Sequence, residues 1–230
     1  MTQKKLVLFD FDGTLADTAP DLALAANRQR ERRGLAPIAL DELRTYASYG
    51  ARGLIKAALG METDHEDFPQ VREQFLKDYE ANMFTHTRLF EGMEALLTKI
   101  QNHNLEWGIV TNKAEYLARP LAKHLGIMEH CATLVGGDTT GHLKPNPASL
   151  LYASRDTNIL PAYCIYIGDD ERDIVAGKAA GMATVVAAYG YCGPETATIR
   201  GWQADAIVDS PAAIWPVVEQ WAAELEKQKQ

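Results

Sequence analysis

The chain has 230 residues, 47% of them hydrophobic and 23% charged, and carries a formal net charge of -8 with a pI near 5.3. This acidity argues against nucleic acid or an anionic membrane as the main partner, no apolar run approaches the roughly 20 residues that cross a bilayer, and the apolar part of MTQKKLVLFD is too short for a signal peptide. Cys131, Cys164 and Cys192 form no C-x-x-C, so buried free thiols at Cys131 and Cys164 and a reducing cytoplasm are expected.

The first predicted strand, Leu6–Phe9, runs straight into Asp10-Phe-Asp12-Gly-Thr14. Its unbroken apolar character marks a strand buried on both faces. Two acids that close oppose each other's ionisation unless a cation sits between them or their tasks differ. From Leu15 to Phe90 no strand is predicted, only helical patterning. Thr18-Ala-Pro-Asp21 resembles a capping box with proline in the first turn, opening a helix to about Arg33 that Gly34 ends. A second helix, Ala51–Leu59, stops at Gly60. Phe68, Val71, Phe75, Tyr79 and Met83 share one face of a third and read as core packing.

Beyond Phe90 helices and strands alternate. The predicted helices are Glu91–Asn102, Ala114–Leu125, Ala148–Thr157, Glu171–Ala180 and Pro211–Leu225, and the strands Trp107–Val110, Thr133–Val135, Cys164–Ile167, Thr184–Ala187 and Ala206–Val208. This is an α/β pattern: a doubly wound, Rossmann-like parallel sheet covered on both faces. Residues 1–15 and 88–230 are assigned to that core. Residues 16–87 are assigned to an inserted all-helical cap, hinged near 16–18 and 83–87, above the carboxyl edge where open α/β proteins bind ligands.

Polar residues follow each central strand: Asp10 and Asp12, then Thr111-Asn112-Lys113, then Lys144-Pro145, then Gly168-Asp169-Asp170 with Asp173 one turn on. Asp10, Asp169 and Asp173 offer hard oxygen ligands suited to Mg²⁺. A phosphate ester docked there would be neutralised further by Lys144 and by the hydroxyl and backbone N–H groups at Thr111 and Asn112. Asp10 could then act as nucleophile, and Asp12 as general acid and base. Arg52, in YGARGL, is the cap residue expected to touch a carboxylate or phosphate. No histidine motif suggests zinc, and GGDTTGH is not a P-loop.

The order DFDGT, VTNK, LKP and GDDERD resembles the haloacid dehalogenase superfamily in its phosphatase branch, with the motifs spanning nearly the whole chain. That resemblance makes Asp10 the nucleophile and Asp12 the acid–base. It gives Thr111 and Lys144 the phosphoryl group, and gives Mg²⁺ to Asp10, the Asp12 backbone carbonyl and Asp169, supported by Asp173. Dehalogenases of the superfamily lack an acid at the position of Asp12. Asp170 stands where many relatives have Ser or Thr, either as a helix-start acid or to orient a metal water or Lys144. FDFDGTLADTAPDL, GIVTNK and LKPNP resemble the phosphoglycolate phosphatase group. LFEGM, WGIVTNK, GDDERDI and YGY…ADAIVDSP are most similar to the bacterial N-acetylmuramic acid 6-phosphate phosphatases of peptidoglycan recycling. The expected partner is therefore a small phosphorylated metabolite, with monomer and homodimer both open. A phosphomutase of the same superfamily and a phospho-accepting receiver module are the competing readings. The cap and the Asp10-x-Asp12 pair speak against the receiver.

Overall fold

Every residue of Leu6–Phe9 (β1) is fully buried, because the strand lies in the middle of the sheet with helices over both faces. The computed structural model describes residues 3–192 and 196–227. After β1 the chain makes a short strand, Ala16–Asp17 (β2), then four helices, Ala19–Glu31 (α1), Leu40–Arg44 (α2), Gly50–Leu59 (α3) and Phe68–Glu80 (α4). It returns through Arg88–Leu89 (β3) to Met93–Asn102 (α5), Glu106–Val110 (β4), Glu115–His124 (α6), Leu134–Val135 (β5) and Ala148–Asp156 (α7). Cys164–Gly168 (β6), Glu171–Ala179 (α8), Ala183–Ala187 (β7), Ala206–Val208 (β8) and Ile214–Lys227 (α9) complete it.

Six strands form one parallel sheet in the order β5-β4-β1-β6-β7-β8. Alternation along each strand divides the core into two layers. Val7 and Phe9 join Trp107, Ile109, Ile165 and Ile167 in one cluster, while Leu6 and Leu8 join Val110, Cys164 and Tyr166 in the other. The chain builds outward from β1 through β4 to β5, then crosses to β6 on the other side. The direction of winding thus reverses beside β1, which places a crevice at the carboxyl ends of β4, β1 and β6. No helix among the described residues is long and apolar enough to cross a membrane.

The predicted strands and helices of the sheet region are present, with ends shifted by at most three residues, and the helical insertion is present as well. Three expectations fail. The stretch from Leu15 to Phe90 is not strand-free, since β2 and β3 pair antiparallel where the chain leaves and re-enters the sheet. Two residues are too few to show a period in sequence. Helix α2 was not predicted, and its five residues show no full apolar face. The capping box at Thr18 does not form either. Thr18 makes no side-chain cap bond, and its hydroxyl donates instead to Asp12 Oδ1 at 2.6 Å. Asp21 accepts from the His86 and Thr87 N–H groups and from the Thr87 hydroxyl, at 2.9–3.0 Å. The two acceptors that a capping box would use thus stitch the start of α1 to the turn that follows β1 and to the returning strand. Cys164 and Cys192 are buried, whereas Cys131 is half-buried; all three are free thiols.

Candidate active site

Asp10 follows β1, Thr111 follows β4 and Asp169 follows β6, so three neighbouring strands deliver polar groups to one edge. Asp173 enters from the first turn of α8. Carboxylate oxygens of Asp10, Asp169 and Asp173 lie within 4.8 Å of one another. Lys144 Nζ sits 3.0 Å from Asp10 Oδ1 and 2.7 Å from Asp173 Oδ1, and also contacts the Val110 carbonyl and the Tyr166 hydroxyl. Asp169 accepts from the Tyr191 N–H at 2.8 Å, the Thr14 hydroxyl at 3.1 Å and the Ser48 hydroxyl of the insertion at 3.3 Å. Gly13 is required here twice over. Its φ is +82°, and a Cβ would stand 2.2 Å from Asp169 Oδ2.

Three carboxylates face one ammonium at this point, an excess of two negative charges. Burial, opposed by Lys144 and reinforced by Asp173 and Asp12, raises the Asp10 carboxyl from the usual 3.8 to about 6. Burial and the charges of Asp10 and Asp173 push Asp169 well up too. Lys144 is buried, which opposes its charge, yet Asp10 and Asp173 hold it above the ordinary lysine range. A dication would balance the excess, and three hard oxygen donors suit Mg²⁺. The residues present therefore fit that ion.

The sign of the resulting pH dependence is fixed. A carboxyl raised in the fold contributes stability below its unfolded value, near pH 4, and that contribution is lost as pH rises through about 6. Mg²⁺ competes with the proton, so it should raise the melting temperature more at pH 7.5 than at pH 5. Thermal melts with and without Mg²⁺ at the two pH values check this; an equal rise at both would contradict it.

Asp12 lies outside the three-carboxylate group. Its side chain pairs with Lys113 Nζ at 3.0 and 3.1 Å. Lys113, given no role from sequence, stacks over the Tyr79 ring of the insertion, 4.6 Å from the centroid. Despite burial, the Asp12 charge keeps the Lys113 ammonium above its ordinary range. Thr111 is buried, and its hydroxyl accepts from the Lys113 N–H at 3.2 Å. The Asn112 amide is spent on the Lys144 backbone, accepting from its N–H at 2.8 Å and donating to its carbonyl at 3.1 Å. Asn112 thus holds the lysine loop with its side chain. Asp170 is no solvated acid: it caps α8, and its carboxylate is gripped by Arg172.

Above this floor lies a cleft of about 670 Å³ between sheet edge and insertion. Asp10, Asp12, Thr111, Lys113 and Lys144 line its base, and Arg52 and Arg72 line it from α3 and α4. Phe75 and Tyr79 are buried in the core as predicted, but they also form part of the cleft wall. Arg72 was missed because an exposed arginine on a helix has no sequence signature until the helix is placed. Tyr191, a buried loop residue, was given no role because its partners lie far away in the chain. Its hydroxyl accepts from the Thr18 and Ala19 N–H groups, both at 2.8 Å, and bolts the start of α1 to the loop whose N–H holds Asp169.

A Rossmann-like sheet whose edge carries clustered aspartates and a buried lysine beneath a helical insertion defines a class of hydrolase. Residues 7–187 match the family model for haloacid dehalogenase-like hydrolases. The chain is 42% identical to the phosphoglycolate phosphatase of Xanthomonas campestris, over 92% of this chain and 95% of that protein. It is 39% identical to the N-acetylmuramic acid 6-phosphate phosphatase of Pseudomonas putida, over 94% and 96%. A crystal structure described as a predicted phosphoglycolate phosphatase from Haemophilus somnus superposes with a TM-score of 0.82 at 29% identity, over 95% of this chain and 99% of that one. The chain belongs to the haloacid dehalogenase-like hydrolase family and is a phosphatase. The receiver-module reading falls with that.

Proposed function

We propose that the chain is an Mg²⁺-dependent phosphomonoesterase acting through an aspartyl-phosphate on a carboxylated sugar phosphate, N-acetylmuramic acid 6-phosphate rather than phosphoglycolate. Relatives bearing the two names stand at 42% and 39% identity, too close to decide between them. The observation that carries the choice is the cleft. Its roughly 670 Å³ falls in the range of pockets that enclose drug-sized ligands, and phosphoglycolate would leave most of it unfilled. Apolar side chains of Phe75, Leu76 and Leu117 suit a sugar's less polar face, and Arg52 and Arg72 supply cations for a carboxylate away from the phosphate.

In this reading residues 16–87 act as the cap and the remainder as the catalytic core. Asp10 attacks phosphorus as the ester P–O bond breaks, and Asp12 gives its proton to the leaving alkoxide. Asp12 then takes a proton from water, whose oxygen displaces Asp10 and releases inorganic phosphate. The Thr18 hydroxyl and Lys113 both donate to Asp12, the pattern of a carboxylate ready for that second half. Lys144 neutralises the phosphoryl oxygens while the Thr111 hydroxyl lies alongside. Bound by Asp10, Asp169, Asp173 and the Asp12 carbonyl, Mg²⁺ would supply charge neutralisation to this step.

Steady-state kinetics on the two esters side by side test the substrate. The kcat/KM for N-acetylmuramic acid 6-phosphate should exceed that for phosphoglycolate by at least about tenfold, since cap contacts absent from the smaller ester each contribute. Equal or greater efficiency on phosphoglycolate would overturn the choice.

A further inference from the structure

Arg172 belongs to the core helix α8, yet its guanidinium spans two structures. One edge is clamped by Asp170, with Nε 2.7 Å from Oδ1 and Nη2 2.9 Å from Oδ2. The other reaches the insertion, where Nη2 donates to the Ser48 carbonyl at 2.7 Å and the guanidinium lies 4.9 Å from the Tyr49 ring centroid. Ser48 and Tyr49 form part of the tight turn Ala47–Tyr49, which leads directly into α3 and Arg52. The same turn touches the carboxylate floor a second time, through the Ser48 hydroxyl and Asp169. The pair is only partly solvated, at 25% exposure for Arg172 and 10% for Asp170. A planar guanidinium with fixed donors can serve a carboxylate, a carbonyl and an aromatic face together; an ammonium cannot.

We infer that Arg172 is a positioning residue: held by Asp170, it docks the Ala47–Tyr49 turn on the loop carrying Asp169 and so sets where Arg52 stands over the cleft. This rests on the proposed cap, and it also assigns Asp170. The acid aims Arg172 at the cap while its main-chain N–H and its own carboxylate complete the cap of α8 with Asp173. The ion pair thus couples the loop that presents Asp169 to the element that selects substrate.

The test uses the full chain with Arg172→Ala and Arg172→Lys, read by amide hydrogen exchange over residues 44–56 and by kinetics on two esters. Arg172→Ala should speed exchange in the turn by about tenfold or more, because the docked state loses its tether. KM for N-acetylmuramic acid 6-phosphate should rise about tenfold with kcat changed less than about threefold, while kcat/KM for p-nitrophenyl phosphate, which needs no cap contact, changes less than about threefold. Arg172→Lys should recover less than half of the KM effect. Unchanged exchange in the turn, or equal losses on both esters, would overturn the inference. The exchange measurement does not depend on which ester is the substrate, and wild-type turnover of p-nitrophenyl phosphate reports separately on the phosphatase reading.

Discussion

Asp10→Asn is expected to abolish turnover, by at least roughly 10⁴-fold, because an amide nitrogen or oxygen cannot take the phosphoryl group as a carboxylate does. Loss of fold would mimic that result, and the electrostatics distinguish the two. Burial pushes the Asp10 carboxyl up to about 6, with Asp173 and Asp12 adding repulsion, so its charge is a burden on the metal-free fold at neutral pH. Removing it leaves Lys144 still paired with Asp173 at 2.7 Å. The metal-free variant should therefore melt at or above the wild-type temperature, while its response to Mg²⁺ shrinks with the loss of one of three carboxylate donors. An inactive variant that melts well below wild type would point to damage instead, and retention of a tenth of the activity would refute the nucleophile.

Lys144→Ala is the second large effect, and here stability falls with activity. Lys144 is 3% exposed and is the one cation directly paired with the Asp10 and Asp173 carboxylates among the described residues. Deleting one member of a buried ionic group typically costs about 3–5 kcal/mol, since the partner charge is left without compensation. Turnover should drop by roughly 10²–10³-fold with the lost phosphoryl contact. The deficit should shrink at pH 5, where Asp10 carries its proton, and in excess Mg²⁺, which binds the folded form and replaces part of the missing charge. Denaturant titrations with and without Mg²⁺ measure this. A metal-free variant as stable as wild type at pH 7.5 would mean that the carboxylates are not held as the structure places them.

The sheet was legible because burial on both faces leaves an unbroken apolar run, as in LVLF of β1 and CIYIG of β6, each followed at once by an acidic turn. Asp10, Thr111 and Asp169 were legible because each abuts such a run, and Lys144 and Asp173 because each follows one through a loop or a helical turn. What escaped depends on partners distant in the chain. Lys113 matters through Asp12, which lies 101 residues away. Arg172 matters through Ser48, 124 residues away. Tyr191 matters through the start of α1. None of these pairings has a local pattern, and those of Arg172 and Tyr191 join the core to the insertion, whose placement no periodicity reports. The capping signature at Thr18 misled for the same reason: its hydroxyl and Asp21 had better partners brought in by tertiary structure.

The central claim is that Asp10 carries the phosphoryl group during turnover. Acid-quenching the enzyme during steady-state hydrolysis, followed by mass spectrometry of its peptides, tests this directly. The account predicts one added phosphoryl group on the peptide containing Asp10, absent from Asp10→Asn and labile to base as an acyl phosphate is. Phosphorylation elsewhere, or active turnover by a Mg²⁺-loaded enzyme with no trapped phosphoryl group under any quench condition, would contradict it.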